Sequence, residues 1–112
     1  MVGADGIYIR AGNPIGIQNI SSEIPSGYKL SQNYPNPFNP VTNIEFSIPS
    51  KGNVKLTVFD ITGKEVGLLI NDVLSPGTYK FDFNANHLSS GTYFYRLVAG
   101  DYVETKKMVL VK

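Results

Sequence analysis

The chain contains one histidine, and it lies close in sequence to residues that could complete a hydrolytic triad. His87 stands in the stretch NANHLSSG, with Ser89 and Ser90 just after it and Asp82 shortly before it. A Ser–His–Asp triad needs a defined spatial geometry and an oxyanion hole, which nearness in sequence does not supply. A serine two positions after a histidine matches no nucleophile motif. We therefore predict that His87 lies on a solvent-exposed loop and that this protein is not an enzyme.

The pattern of acidic residues does not predict a metal site. The carboxylates are spread singly along the chain, among them Asp60, Glu65, Asp72, Asp82, Asp101 and Glu104. Calcium loops need several carboxylates at alternate positions, and that spacing is missing. Without cysteine there are no thiolate ligands and no disulfides, and no glycine-rich loop follows a strand to bind phosphate. We predict no metal and no cofactor.

Two other residue types raise binding hypotheses. Lys106, Lys107 and Lys112 cluster near the end of the sequence, but the net charge is only +1, so we predict no nucleic-acid partner. Seven tyrosines could form a sugar-binding platform. Most of them occupy alternate positions of predicted strands, which favours packing in a core. No apolar run is long enough for a membrane-spanning helix.

Hydrophobic residues alternate with polar ones from Asn43 onward, which predicts β-strands. The alternation is clear in NIEFSI, NVKLTVFD, TYKFDF and TYFYRLVA, and Val66, Leu68 and Ile70 continue it on a return strand. No stretch shows a helical period. The predicted core comprises Ile44, Phe46, Ile48, Val54, Leu56, Val58, Val66, Leu68, Tyr79, Phe81, Phe83, Tyr93, Tyr95 and Leu97.

Short turns separate these strands. Gly63 in DITG suits a position with positive φ, Ser75-Pro76-Gly77 marks another turn, and Gly100-Asp101 suits a two-residue hairpin loop. About six or seven short strands with short antiparallel connections predict an all-β fold. We expect an immunoglobulin-like antiparallel β-sandwich.

The composition changes near residue 27. Residues 1–27 mix glycine, proline, asparagine and serine and read as a linker from a preceding region, with Ile7–Ile9 as a candidate strand. Residues 28–112 form the predicted domain. Near its start lies SQNYPNPFNP, residues 31–40, with three prolines and three asparagines. Prolines remove backbone donors and asparagines favour turns, so this stretch is not predicted to be helical. We expect this segment to lie across one end of the sandwich through Tyr34 and Phe38 and to fix the path of the chain.

Four sequence blocks in order carry a resemblance to a known family. They are LSQNYPNPFNPVTNIEFSIP, GNVKLTVFDITGKEV, LSPGTYKFDFNANHLSSGTYFYRL and GDYVETKKMVLVK. Over residues 28–112 the chain resembles the type A C-terminal sorting domain of the type IX secretion system, which ends cargo proteins of the Bacteroidetes and their relatives. Part of it is also similar to the immunoglobulin-like domain of flagellar hook-capping proteins.

The resemblance implies a function, a route and partners. Such a domain is a non-catalytic signal that directs an N-terminal cargo domain across the outer membrane. It folds in the periplasm in transit, is recognised by the outer-membrane translocon, and is removed by a sortase-like peptidase at the cell surface or outside the cell. It does not span the membrane, and we expect a monomer. The implied recognition residues are Gly91, Tyr93, Tyr95, Leu97, Lys107, Met108, Val109, Leu110, Val111 and Lys112.

Strand chemistry suggests how recognition works. The stretch ETKKMVLVK is predicted to lie at a sheet edge, where unpaired N–H and C=O groups could be captured by a receptor strand. Its lysines could equally prevent unwanted pairing between edges. Two alternatives remain open at this point: a carbohydrate-binding or adhesion module, and a structural scaffold of the hook-capping kind.

Overall fold

A computed structural model describes residues 17–112, and the regular structure in that part of the chain is β-strand throughout. The candidate strand Ile7–Ile9 lies outside the described residues. The strands are β1 Ile17–Ser21, β2 Lys29–Leu30, β3 Val41–Ile48, β4 Gly52–Phe59, β5 Glu65–Leu74, β6 Gly77–Asn84, β7 Gly91–Ala99 and β8 Tyr102–Leu110.

The strands form two four-stranded antiparallel sheets. The first, sheet A, has the order β1-β6-β3-β2, and the second, sheet B, has the order β5-β4-β7-β8. The predicted all-β sandwich is confirmed. The described residues hold more strands than the predicted six or seven because β1 and β2 are short and lack an alternating pattern. The predicted division at residue 27 stays a prediction, although β1 lies before it and pairs with β6.

The core lies between the inner faces of the two sheets. Alternation along each strand sends every second side chain inward, as in β3, where Ile44, Phe46 and Ile48 are fully buried. Tyr95, Leu97 and Met108 supply the facing layer from sheet B. Burying apolar area in this way is the main force that holds two such sheets together.

The prediction that Leu68 lies in the core is wrong. Leu68 is 48% exposed because a β-bulge interrupts the pairing of β4 with β5: Leu56 lies opposite Ile70, but Thr57 lies opposite Leu68. The extra residue, Leu69, shifts the alternation by one position. Ile70 is therefore buried, Leu69 packs against the core, and Leu68 points to the outer face of sheet B.

A five-residue motif occurs twice and builds the same local structure. In SPGTY the hydroxyl of Tyr79 donates to the carbonyl of Ser75 at 2.7 Å, and in SSGTY the hydroxyl of Tyr93 donates to the carbonyl of Ser89 at 2.7 Å. The same bond closes the tyrosine corner of β-sandwiches. These tyrosines therefore satisfy their hydroxyls while their rings pack in the core.

Gly77, within the first of these motifs, is a place where only glycine fits. Its φ is +156°, and a Cβ added there would meet the carbonyl oxygen of Ser21 at 2.7 Å. Because Ser21 ends β1, the close approach at Gly77 lets β1 pack against the start of β6.

Candidate functional site at the end of strand β8

Strand β8 is the last strand in the order of sheet B, and among the strands of residues 17–112 its neighbour is β7. A two-residue loop joins these strands, so that Ala99 lies opposite Tyr102 and Leu97 opposite Glu104. In such a ladder the even-numbered residues of β8 bond to β7, and the odd-numbered ones direct their N–H and C=O groups away from it. These outward groups are the ones that a receptor strand would have to reach.

The segment that precedes β3 occupies part of this edge. Residues 31–40, which we call the proline–asparagine segment, run parallel to the end of β8 at a bridge between Phe38 and Leu110. The N–H of Phe38 donates to the carbonyl of Val109 at 2.9 Å, and the N–H of Val111 donates to the carbonyl of Phe38 at 2.9 Å. The outer edge of β8 is thus bonded to the chain itself at this point.

Side chains of the same segment extend this cover. The Oδ1 of Asn36 accepts from the N–H of Val109 at 3.0 Å, and the Nε2 of Gln32 donates to the carbonyl of Lys107 at 2.7 Å. Four hydrogen bonds therefore seal the outer edge between Lys107 and Val111. Among the described residues, no main-chain bond from the segment reaches Val103 or Thr105.

Tyr95 anchors the proline–asparagine segment to the core. Its hydroxyl, in a fully buried side chain, donates to the carbonyl of Ser31 at 2.8 Å and accepts from the N–H of Asn33 at 2.8 Å. Burial raises the pKa of Tyr95 to about 12. The hydroxyl therefore stays protonated and can make both bonds at any physiological pH.

Asn33 continues this buried polar network. Its Nδ2 donates to the Oγ1 of Thr42 at 3.0 Å and to the carbonyl of Pro35 at 3.1 Å, while Thr42 donates to Pro35 at 2.8 Å. Both Asn33 and Thr42 are buried, so these bonds offset the cost of removing them from water. The network fixes the turn that aims the segment at β8.

The two aromatic residues of the segment have different environments. Phe38 is 2% exposed and packs against Phe83, with ring centroids 6.3 Å apart, so it belongs to the core. Tyr34 is 79% exposed. Phe38 is thus the apolar anchor, whereas Tyr34 contributes its main chain through a bridge to Asn43.

Lys112 is held against the loop that contains the histidine. Its N–H donates to the Oγ of Ser90 at 3.0 Å, and its Nζ donates to the carbonyl of Asn86 at 2.8 Å. His87 is exposed, as predicted. Ser90 thus accepts a main-chain hydrogen bond, a structural role in the loop.

The proposed recognition residues fall into two groups. Five have side chains that point into the core and are almost inaccessible: Tyr93, Tyr95, Leu97, Met108 and Leu110. The others can be reached from solvent, wholly or in part: Gly91, Lys107, Val109, Val111 and Lys112. Only the second group can contact a receptor while the domain remains folded.

The other half of β8 carries a small polar cluster. The hydroxyl of Tyr102 donates to Oε1 of Glu104, and Nζ of Lys106 lies 3.3 Å from Oε2 of the same carboxylate. The Tyr102 hydrogen bond, with help from Lys106, lowers the pKa of Glu104, and burial together with that carboxylate raises the pKa of Tyr102 to about 12. The ring of Tyr102 stacks on Tyr28 at 5.1 Å.

Other kinds of site receive no support. Among residues 17–112, no group of three or more histidine, cysteine or acidic side chains could hold a metal ion. The same part of the chain contains no helix long and apolar enough to cross a membrane.

Sequence reasoning missed the polar residues that organise this site. Gln32 and Asn33 lie outside any alternating pattern, and only the density of asparagine and proline around them marks the segment. That density indicates turns but not the partner to which their side chains bond. Thr42 is an inward position of β3, but it is a polar residue at the start of that strand and was not among the predicted core residues.

The fold and this site together define an antiparallel β-sandwich module whose edge strand is covered by a segment from the start of the domain. The family model of the secretion system C-terminal sorting domain matches residues 32–112, and the chain belongs to that family. A search of curated proteins finds no match.

Membership confirms the function that the resemblance implied. The domain is a C-terminal sorting signal for type IX secretion, attached to a cargo protein and recognised by that system. It serves export across the outer membrane to the cell surface or beyond. The family is not known as catalytic, and no finding supports the carbohydrate-binding or hook-capping alternatives.

Proposed function

We propose that the outer-membrane translocon of the type IX system binds this domain in its folded state and reads side chains displayed at the end of β8. The proposal rests on the observation that some candidate recognition residues are buried in the core and others are exposed at the surface. Lys107, Val111 and Lys112 are exposed and lie together where β8 ends, with Val109 and Gly91 beside them. A lysine beside exposed valines offers both charge and apolar area to a receptor.

The buried members act through the fold. Tyr95, Leu97 and Met108 are completely enclosed, so a receptor cannot touch them without unfolding the sandwich. Their substitution would weaken export by unfolding the domain or by releasing the proline–asparagine segment. This assignment explains how one stretch of sequence can contain both interior and surface determinants of sorting.

The sealed edge favours side-chain recognition over strand addition at this position. A receptor strand could pair with β8 between Lys107 and Val111 only after breaking the bonds to Gln32, Asn36 and Phe38. Strand addition elsewhere on β8 would be confined to Val103 and Thr105. We therefore infer that the displayed side chains supply most of the specificity.

The remaining steps follow the family's route. The domain folds as a monomer in the periplasm, carries its N-terminal cargo to the translocon, and is then separated from it by a sortase-like peptidase. The cut would fall before residue 28, where the composition changes. Removing residues 1–27 would take away β1, the edge strand of sheet A, and leave the β8 site in sheet B in place.

A fusion test addresses recognition directly. Residues 1–112 are joined to a fluorescent protein with an N-terminal export signal, in a host that has a type IX system. The wild-type fusion should reach the surface or the medium. The double variant Lys107→Glu with Lys112→Glu should accumulate in the periplasm with a thermal midpoint close to the wild-type value. Normal export of that variant would exclude these lysines from the signal.

A further inference from the structure

The outer faces of the two sheets differ in chemistry. The outward positions of β3 and β6 in sheet A are mainly polar and carry both signs of charge, with Glu45 and Asp82 against Lys80. The outward positions of β4, β7 and β8 in sheet B combine small polar residues with large apolar side chains and cations, which are Lys55, Phe59, Phe94, Arg96, Val98, Val103, Lys107 and Val109.

Strand register arranges these residues in rows across sheet B. Residues directly opposite each other share a face, so Phe59, Phe94 and Lys107 form one continuous row. The adjacent rows run Leu68–Thr57–Arg96–Thr105 and Asn71–Lys55–Val98–Val103. The apolar and cationic side chains therefore form one continuous surface.

The charges on this surface have one sign, apart from Glu65 at its corner opposite Phe59. Arg96 lies over the ring of Phe59, with its guanidinium carbon 4.7 Å from the ring centroid, and its Nε donates to the Oγ1 of Thr105 at 3.4 Å. These contacts hold the guanidinium on the surface in a fixed place. A fixed planar cation on an apolar bed is suited to bind a carboxylate.

Three exposed aliphatic side chains lie at the margins of the same face. Leu68 is 48% exposed, Val73 53% and Val103 59%. These are large values for aliphatic side chains in strands, and they leave an apolar area that water solvates poorly. Leu68 adds to this exposed apolar area because the bulge in β5 turns its side chain to the outer face.

We propose that the outer face of sheet B is a docking surface for a partner protein that presents carboxylates around an apolar patch. Charge complementarity identifies the partner's chemistry, since Lys55, Arg96 and Lys107 would each be matched by an acidic group. The surface is continuous with the end of β8 through Lys107 and Val109. The inference rests on the proposed function, because it extends the surface read by the translocon from one strand to the whole sheet.

A matched pair of variants tests the docking face. Lys55→Glu with Val103→Asp alters the face of sheet B at two exposed positions that lie in one row. Lys29→Glu with Val41→Asp makes the same changes in type and charge on the outer face of sheet A, where both residues are also exposed. All positions lie outside the end of β8, and each variant is checked by thermal melting.

Export of the fluorescent fusion should fall about tenfold or more for the sheet B variant and stay at the wild-type level for the sheet A variant. Equal export of both variants would overturn the docking face while leaving the sorting function intact. Failure of the wild-type fusion to leave the cell would instead count against the proposed function.

A crosslinking measurement separates a protein partner from an anionic glycolipid. A photoreactive residue is placed at Val103, and at Val41 as the control, in the exported fusion. A protein adduct from position 103 that is absent from position 41 supports the proposal. An adduct with lipopolysaccharide alone, or identical adducts from both positions, would contradict it.

Discussion

Phe38 and Val109 are joined by a 2.9 Å hydrogen bond from the N–H of the first to the carbonyl of the second, although they lie near opposite ends of the domain. The carbonyl of the same Phe38 accepts from the N–H of Val111, so one residue of the proline–asparagine segment binds the outer edge of β8 before and after Leu110. The start of the domain and the sorting residues at its end are therefore one structural unit.

Replacing Phe38 with alanine should destabilise the domain strongly. The side chain is 2% exposed, and truncating a buried phenylalanine costs about 3–5 kcal/mol. Tyr34→Ala, in the same segment but at an exposed position, should change the free energy of unfolding by less than about 0.5 kcal/mol. Urea denaturation of both variants checks this, and equal losses would mean that Phe38 is no anchor.

Replacing Asn36 with alanine should open the edge of β8 without unfolding the core. The Val109 N–H loses its acceptor, so its amide should exchange with solvent faster, whereas amides in the centre of β4 keep their protection. Asn39→Ala is the control, since this exposed neighbour makes no hydrogen bond to β8. Unchanged exchange at Val109 would show that the Asn36 bond does not protect the edge.

The alternating strands could be predicted because a strand that is buried on one face has an apolar residue at every second position. Ile44, Phe46 and Ile48 illustrate this, and all three are buried as predicted. The bulge that exposes Leu68 was missed because an inserted residue leaves the local alternation intact and only shifts its phase. Such a shift depends on the partner strand, which local pattern does not show.

The binding of the proline–asparagine segment to the outer edge of β8 could not be predicted, for a similar reason. Ser31–Pro40 was expected to pin one end of the sandwich through both aromatics, and Phe38 does pack in the core. Tyr34 does not, and the polar residues Gln32 and Asn36 make the contacts with β8. Hydrogen bonds between segments so distant in sequence produce no repeating pattern of residue types.

Removing the hydroxyl of Tyr95 should loosen the proline–asparagine segment. Tyr95→Phe leaves the buried carbonyl of Ser31 and N–H of Asn33 without this partner, which should cost about 1–3 kcal/mol. Tyr93→Phe is the control, because its hydroxyl serves only the local turn at Ser89. A smaller loss for Tyr95→Phe than for Tyr93→Phe, measured by urea denaturation, would contradict the anchoring role.

Stability should also fall at alkaline pH because of Tyr95. Burial raises its pKa from the ordinary 10.0 to about 12 in the folded state, so the unfolded chain loses this proton first. The contribution is complete below about pH 10 and is lost as the pH rises to about 12, a change of about 2–3 kcal/mol. Tyr95→Phe should therefore show a shallower alkaline decline. Parallel curves for the two proteins would refute the assignment.

Two glycines provide a test of how closely β1 packs. Gly77 and Gly91 have nearly the same φ, +156° and +155°, but a Cβ would meet Ser21 at the first and open space at the second. Gly77→Ala should therefore destabilise more than Gly91→Ala, and deleting residues 1–27 should remove the difference. Calorimetric melts of the four proteins decide this. A difference that persists after the deletion would show that β1 is not its cause.

The central claim is that buried residues act in sorting through the fold, whereas exposed residues at the end of β8 act by contact. The most direct measurement is export of two fluorescent fusions, Leu97→Ala and Lys107→Glu, at a series of temperatures, with the folded fraction followed in parallel. Export of Leu97→Ala should recover on cooling in step with its folded fraction. Export of Lys107→Glu should stay low at every temperature although the domain is folded. Low export of folded Leu97→Ala together with normal export of Lys107→Glu would contradict the account.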